Sequence, residues 1–348
     1  MSSWGYGGCS MPRVPSVVEL STFEELEAHV EGRDADVFIS YATNTPAKDE
    51  PCALPRIAVR HQAPDGYAVP GFRIGEWSRT WSDDDYAAAV ELVRAAIKRG
   101  DVYQVNLVQH LSAPFSGDPR GLAEALGSLH TQTLTGDGWA IVSASPELFL
   151  ARRGDRLWTK PIKGTRPLGE DVDDAKDAAE HVMIVDLERN DLSRVCEPGT
   201  IRWPELMHQH ELAGVTHLVS TIEGRLRPGV GLAEILHATF PGGSITGAPK
   251  LSAIDHIARF EPVGRGASMG AIGRVWANGD FELALTIRTF AIADGWIHLW
   301  VGGGIVWDSD PEAEIEESWV KARPLLAAVG GLGPESRSGA AQVGASAL

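Results

Sequence analysis

Cysteine is scarce. Cys9, Cys52 and Cys196 are the only three in 348 residues, far apart and without a Cys-x-x-Cys pair. That argues against a disulfide scaffold and against a zinc knuckle. Positive charge is also in short supply: 31 Lys and Arg against 47 Asp and Glu leave a net charge of −16. Nucleic acid is therefore not expected as the main partner, because phosphate backbones need a basic footprint. A small anionic substrate needs only a few local cations and stays open. No apolar run approaches the ~18 residues of a membrane span. The first 13 residues lack a charged start leading into an apolar stretch, so no secretory signal is read there. A reducing cytoplasmic setting is the expectation. What the chain does have is 43% hydrophobic residues, enough to bury a core.

Both ends read as disordered. Residues 1–13 are rich in Gly and Ser, and residues 330–348 offer little to bury. Between them, 14–329 reads as one domain, with a short leading part (14–82) and a core (83–327). The leading part holds short apolar runs, Val37-Phe38-Ile39 and Ile57-Ala58-Val59, which suggest strands. Asp83 to Arg99 predicts a helix: Tyr86, Val90, Val93 and Ile97 recur at helical spacing, acids crowd its start, and Gly100 stops it. The segment DVYQVNLVQHL then alternates, with Tyr103, Val105, Leu107 and Leu111 on one face and Gln104, Asn106 and His110 on the other. Asn278-Gly279 and Asp294-Gly295 are hairpin signals and predict three antiparallel strands over about 270–306. The middle one, 281–293, would put Ile287 on its apolar face and Arg288 on its polar face. Helices alternate with hairpins rather than with single strands. The fold class expected is α+β, with large antiparallel sheets packed face to face and helices outside.

Three groupings could carry chemistry. The first is a hairpin turning at Gly154-Asp155, whose paired positions sum to 309. Glu147 then faces Ile162 and lies one residue from facing Lys163. A carboxylate beside a lysine can take its proton and free the amine as nucleophile; a surface ion pair is the bland alternative. The second is a pair of acidic helix faces, Asp177 with Glu180, and Glu314 with Glu317 and Lys321. Their oxygens suit Mg²⁺, and two solvated faces would look the same. The third is Gly-rich backbone. FPGGSITGAPK lacks the Lys of a P-loop, yet its N–H groups and Ser244 could hold a carboxylate. Gly302, Gly303 and Gly304 interrupt a strand, which implies close approach of a ligand or backbone, or else a bulge. Arg288 amid apolar neighbours wants an anion. His217 in an apolar strand reads first as a satisfied core histidine.

Taken in order, GDVYQVNL, SPELFL, PIKGTRP, EHVMIVDLERNDLSRVC, HLVSTIEG, FPGGSITGAPK, ALTIRTF, GGGIVWDSDPEAEIEES and WVKA make the chain resemble the chorismate-utilising enzymes. The likeness runs from about Asp83 to Leu326 and leans toward aminodeoxychorismate synthase component I, because PIKGT carries Lys163 where anthranilate synthases usually read PIAGT. It implies a chorismate-binding fold and amination of chorismate at C4, for para-aminobenzoate used in folate or specialised metabolism. Lys163 would be the nucleophile, Glu147 the general acid/base and His217 a histidine near the leaving group. Glu180 and Glu317 would be the main Mg²⁺ ligands, with Asp177 and Glu314 as their second partners. Ser244, Arg288, Lys321 and the Gly302, Gly303 and Gly304 backbone would hold the substrate carboxylates. Gln104 stands where water-adding members carry a lysine base; an amide cannot be that base, which favours an amine nucleophile. Ser268 and Leu168 depart from a usual aromatic and a frequent Arg. The short leading part implies that tryptophan inhibition is lost or altered. No glutaminase elbow is visible around the cysteines, so the resemblance implies ammonia from a separate glutamine amidotransferase subunit. The alternatives are anthranilate synthase component I and a catalytically dead chorismate-binding protein.

Overall fold

The structure, a computed structural model, describes residues 17–61, 71–127, 131–167, 175–212 and 215–330. For 164–167, 175–179, 211–212 and 215 only the backbone is described. Of the two tails read as disordered, residues 1–13 and 331–348 lie outside these ranges, as does Leu168; Gly330 is the last residue described.

In chain order the first elements are β1 (Val17–Leu20), α1 (Phe23–Val30), β2 (Ala35–Ile39), β3 (Ile57–Arg60), β4 (Phe72–Ile74), β5 (Ser78–Arg79), α2 (Asp83–Arg99) and β6 (Gln104–Gly117). Next come α3 (Arg120–Leu126), β7 (Gln132–Thr135), β8 (Trp139–Ser143), β9 (Leu148–Arg153), β10 (Arg156–Lys160), β11 (Ile162–Pro167), α4 (Ala175–Ser193), β12 (Arg202–Leu212) and β13 (Val215–Arg225). The last are α5 (Leu232–Thr239), β14 (Gly247–Ala248), α6 (Lys250–Phe260), β15 (Ala271–Val275), β16 (Phe281–Leu285), β17 (Thr289–Ala293), β18 (Trp296–Ile305) and α7 (Pro311–Ala328).

The strands form two antiparallel sheets. One runs β1-β3-β2-β15-β16-β9-β10-β13-β11 with β12 added on β13; the other runs β14-β6-β18-β17-β8-β7, with β4 and β5 on β6. One core cluster joins both: Phe38, Leu150 and Leu285 of the first sheet pack with Val105, Leu107 and Ile305 of the second. A second cluster lies between the second sheet and α7, where Trp319, Ala322 and Leu326 meet Leu111, Phe290 and Leu299. The α+β architecture read from the sequence is the one observed.

Local signals explain the elements next to the site. α2 spans the residues expected, closed at its start by a Ser82–Asp85 capping box and at its end by Gly100 in the left-handed region at φ 82°. Asp294 and Gly295 take φ 53° and 79°, the two positive values of a type I′ hairpin turn. Two expectations are corrected. The stretch 281–293 is two strands, not one, so four strands span 271–305. The chain turns at 286–288, with Arg288 at φ 49°, and passes from the first sheet into the second. Ile287 and Arg288 therefore belong to a crossover rather than to strand faces. Tyr103 is 71% exposed because β6 begins one residue later.

Candidate active site

The hairpin of β9 and β10 turns where expected. Arg153 faces Arg156 and Ala151 faces Trp158, both summing to 309, before a bulge between Trp158 and Lys160 shifts the register. Pro161 then ends the pairing, as a residue without an N–H must. The expected pairing of Glu147 with Ile162 is corrected here: β11 leaves β9 and pairs with β13, so Lys163 stands opposite Leu218. The two side chains still share one electrostatic site. The Ile162 N–H donates to the Glu147 carboxyl, and the Lys163 charge acts on it.

Glu147 is 6% exposed and accepts a hydrogen bond from Ser244 Oγ at 2.7 Å. Burial raises its pKa above the usual carboxylate range, against the opposing pull of Ser244, Lys163 and Arg288. Such a carboxyl can hold a proton and release it. Lys163 Nζ donates to Glu180 Oε1 at 2.7 Å. Burial works to lower the Lys163 pKa, but the charges of Glu180, Glu147 and Glu317 together leave it raised, so the amine is an ammonium in this pairing. Glu180 shows the converse: burial works upward, and Lys163 with Gln104 brings it below its ordinary value. Gln104 Nε2 donates to the same Glu180 oxygen at 2.5 Å. Gln104 Oε1 is buried with no hydrogen-bond partner among the described residues.

The three glycines of β18 separate into distinct roles. β18 pairs with β6 in unbroken register from Trp296↔Pro114 to Ile305↔Val105, which removes the bulge alternative. A Cβ on Gly302 would fall 1.9 Å from the Leu107 carbonyl oxygen, so another backbone is its reason. A Cβ on Gly303 would fall 3.0 Å from Glu317 Oε1, 3.4 Å from Glu314 Oε2 and 3.5 Å from Lys321 Nζ. One on Gly304 would overlap Gln104 Nε2 at 1.8 Å and crowd Glu180 Oε1 at 2.7 Å. Gly303 and Gly304 are thus bare backbone flanked by the acids of α7 on one side and of α4 on the other. Lys321 Nζ spans Glu317 Oε1 (2.7 Å) and the Gly302 carbonyl (2.8 Å).

The structure brings Gln104, Glu147, Lys163, Glu180, Ser244, Arg288, Gly303, Gly304, Glu314, Glu317 and Lys321 into this neighbourhood. His217 is buried on β13 opposite Thr165, two positions along β11 from Lys163. Ser268 is buried, its N–H bonded to the Arg265 carbonyl. Asp177 lies in the first turn of α4, where side chains fall outside the described residues. Among the described residues no three His, Cys, Asp or Glu side chains converge tightly enough to hold a metal alone. The oxygen-only donors do fit a Mg²⁺ ion that completes its shell with water and substrate oxygens. Sequence reasoning assigns no role to Glu188, a buried carboxyl on α4; a lone acid in a charged helical motif gives no sign of burial.

Residues 19–327 match the sequence profile of the chorismate binding enzymes. This chain belongs to the chorismate binding enzyme family. Over 279 residues it is 43% identical to anthranilate synthase component 1 of Thermus thermophilus, covering 75% of this chain and 60% of that one. Over 265 residues it is 40% identical to aminodeoxychorismate synthase component 1 of Klebsiella aerogenes, covering 72% and 59%. The chain spans between about half and two thirds of the length of the first curated relatives it matches. Anthranilate synthase component I from Streptococcus pneumoniae shares the fold at TM-score 0.78 and 23% identity, over 93% of this chain and 95% of that one.

Proposed function

We propose that this family member aminates chorismate at C4, giving 4-amino-4-deoxychorismate through a covalent adduct on Lys163. The carrying observation is the Lys163 amine held between two acids of different state: Glu180, ionised in an ion pair, and Glu147, buried with its pKa raised. Lys163 first gives up its ammonium proton to solvent as it exchanges its contact with Glu180 for the substrate, so that the neutral amine is the nucleophile. Its nitrogen then forms a bond to C2 of chorismate as both ring double bonds shift and the C4 hydroxyl leaves, taking a proton from Glu147 to depart as water; the adduct nitrogen returns a proton to Glu147. Ammonia next bonds to C4, both double bonds shift back, and the lysine nitrogen leaves C2 with a proton from Glu147, which the new C4 ammonium replaces. Arg288, Lys321 and the bare backbone at Gly303 and Gly304 suit the two substrate carboxylates. His217 lies on the strand beside β11 and serves the leaving-group side. Glu180, Glu317 and Glu314, with Asp177, would hold a bound Mg²⁺, which supplies charge neutralisation for a dianionic substrate.

A separate glutamine-hydrolysing partner is the proposed ammonia source, in line with relatives named as component 1. Chorismate incubated with ammonium and Mg²⁺ tests the reading. Formation of 4-amino-4-deoxychorismate supports it; fluorescent anthranilate instead establishes C2 amination with pyruvate loss, the reading that the 43% identical relative favours. No turnover would leave a binding protein. For the metal, Glu180→Gln or Glu317→Gln is expected to raise the Mg²⁺ concentration needed for half-maximal activity by about 10–100-fold. A titration curve unchanged from wild type would remove these ligands.

A further inference from the structure

Arg265, in the loop between α6 and β15, is 1% exposed. A guanidinium that deep is costly unless it is paired and hydrogen-bonded. Its Nε and Nη2 donate to the two Glu261 carboxylate oxygens at 2.9 and 2.7 Å. Nη1 donates to the Ile245 carbonyl at 2.9 Å, and Nη2 donates also to the Asn106 carbonyl at 2.7 Å. Glu261 in turn accepts the Val108 N–H at 3.0 Å. The leading part closes over this group. The Tyr41 ring centroid lies 4.8 Å from the guanidinium carbon, and Ser40 and Glu50 each bond the Gly266 backbone at 2.7 Å. The bonds of Arg265 therefore reach two segments that carry the site. Ile245 follows Ser244, whose hydroxyl donates to Glu147. Asn106 is two residues along β6 from Gln104, which donates to Glu180.

We propose that Arg265 is a positioning residue of this active site: its guanidinium fixes the turn that aims Ser244 at Glu147 against the strand that aims Gln104 at Glu180. Arg265 has no bond to any of these four side chains and acts through the backbone of their neighbours. Stability alone is a weak reason for such a group, since a buried ion pair can often be replaced by apolar side chains without loss. What the planar fork adds is direction: one carboxylate and two carbonyls held at set angles to one another. The turn and the strand are also tied directly, by the Asn106 N–H donating to the Thr246 carbonyl at 2.8 Å. That single bond is a hinge, and the guanidinium beside it stops the hinge from swinging. A lysine would keep the charge but, as a point donor on a flexible stem, would not span the three acceptors.

The catalytic weight of this clamp rests on the chorismate amination reading; the geometry it imposes does not. The test is a double-mutant cycle on the full-length protein with Arg265→Lys and Ser244→Ala, reading chorismate consumption with ammonium and Mg²⁺. Arg265→Lys is expected to lower kcat about 10–100-fold while KM for chorismate stays within about threefold. In the Ser244→Ala background the same substitution should cost much less, because the hydroxyl it aims is gone. Losses that simply multiply in the double variant overturn the proposal, since general loosening acts whether or not Ser244 is present. A crystal structure of Arg265→Lys should show Ser244 Oγ beyond hydrogen-bonding distance of Glu147; the contact kept at its wild-type length overturns the proposal as well. If Arg265→Lys does not fold, Tyr41→Leu takes its place in the cycle. It removes the ring beside the guanidinium and none of the Arg265 hydrogen bonds, with an expected kcat loss of about threefold, and no coupling to Ser244 there is equally fatal. A wild-type protein without turnover removes the amination reading alone, and the Ser244–Glu147 distance in the variant that folds then decides the inference.

Discussion

At the residue scale, reactivity is decided by which acid each side chain meets. Lys163 meets Glu180 and stays charged; Glu147 is buried in low dielectric, which raises its pKa against the pull of the Ser244 hydroxyl and the Lys163 charge. Lys163→Ala is expected to abolish any covalent adduct seen by intact-protein mass spectrometry and to reduce amination to background. Glu147→Gln should lower the rate about 10²–10⁴-fold with binding largely kept; comparing kcat with KM checks this. Glu188 makes a further prediction about stability. Its pKa rises from 4.5 to about 7 on folding. Between those values the folded state holds a proton that the unfolded chain has released. The stabilisation is therefore complete below pH 4.5 and lost as pH climbs through 7, at up to about 1.4 kcal/mol per pH unit. Glu188→Gln should flatten that part of a urea-unfolding stability curve measured between pH 4.5 and 7.5.

At the element scale, the end of β18 is where fold and site compete for the same atoms. Gly302 has no room for a side chain because the β6 backbone is there, whereas Gly304 has none because Gln104 and Glu180 are there. The two alanine variants should therefore fail differently. Gly302→Ala forces strands apart and is expected to cost stability, about 1–3 kcal/mol by overpacking, visible in thermal denaturation. Gly304→Ala meets the ends of side chains that can swing away. It should melt close to wild type while losing activity at least tenfold. Equal melting losses in both would contradict the assignment of Gly304 to the site.

On the scale of the whole molecule, the short leading part is woven into the larger sheet. β2 pairs with β15 along its length, from Ile39↔Ala271 to Ala35↔Val275, and Val37, Phe38 and Ile39 are fully buried. A truncated chain starting at residue 83 would strip β1, β2 and β3 from the sheet and leave the β15 edge unpaired over exposed core. It is expected to aggregate on expression. A soluble truncated protein with a sharp thermal transition would show that the core closes without them.

Much of this was legible in order along the chain. The α2 boundaries and the turns at Gly154 and at Asp294-Gly295 follow from spacing, capping and turn chemistry, which act over a few residues. The family, too, is written in the succession of motifs from Gln104 to Lys321. What needed the tertiary structure was anything that depends on partners distant in sequence. The alternation over 281–293 looks like one strand, yet the chain changes sheets at Arg288 because each half finds a different partner. Hairpin arithmetic placed Glu147 near Lys163, but Pro161 sent β11 to β13, and the lysine's direct partner became Glu180 on a helix. Burial of Glu188 is likewise invisible in a charged helical stretch. Local sequence sets backbone periodicity and turns; only packing sets desolvation and neighbouring charge, and those decide which carboxyl keeps a proton.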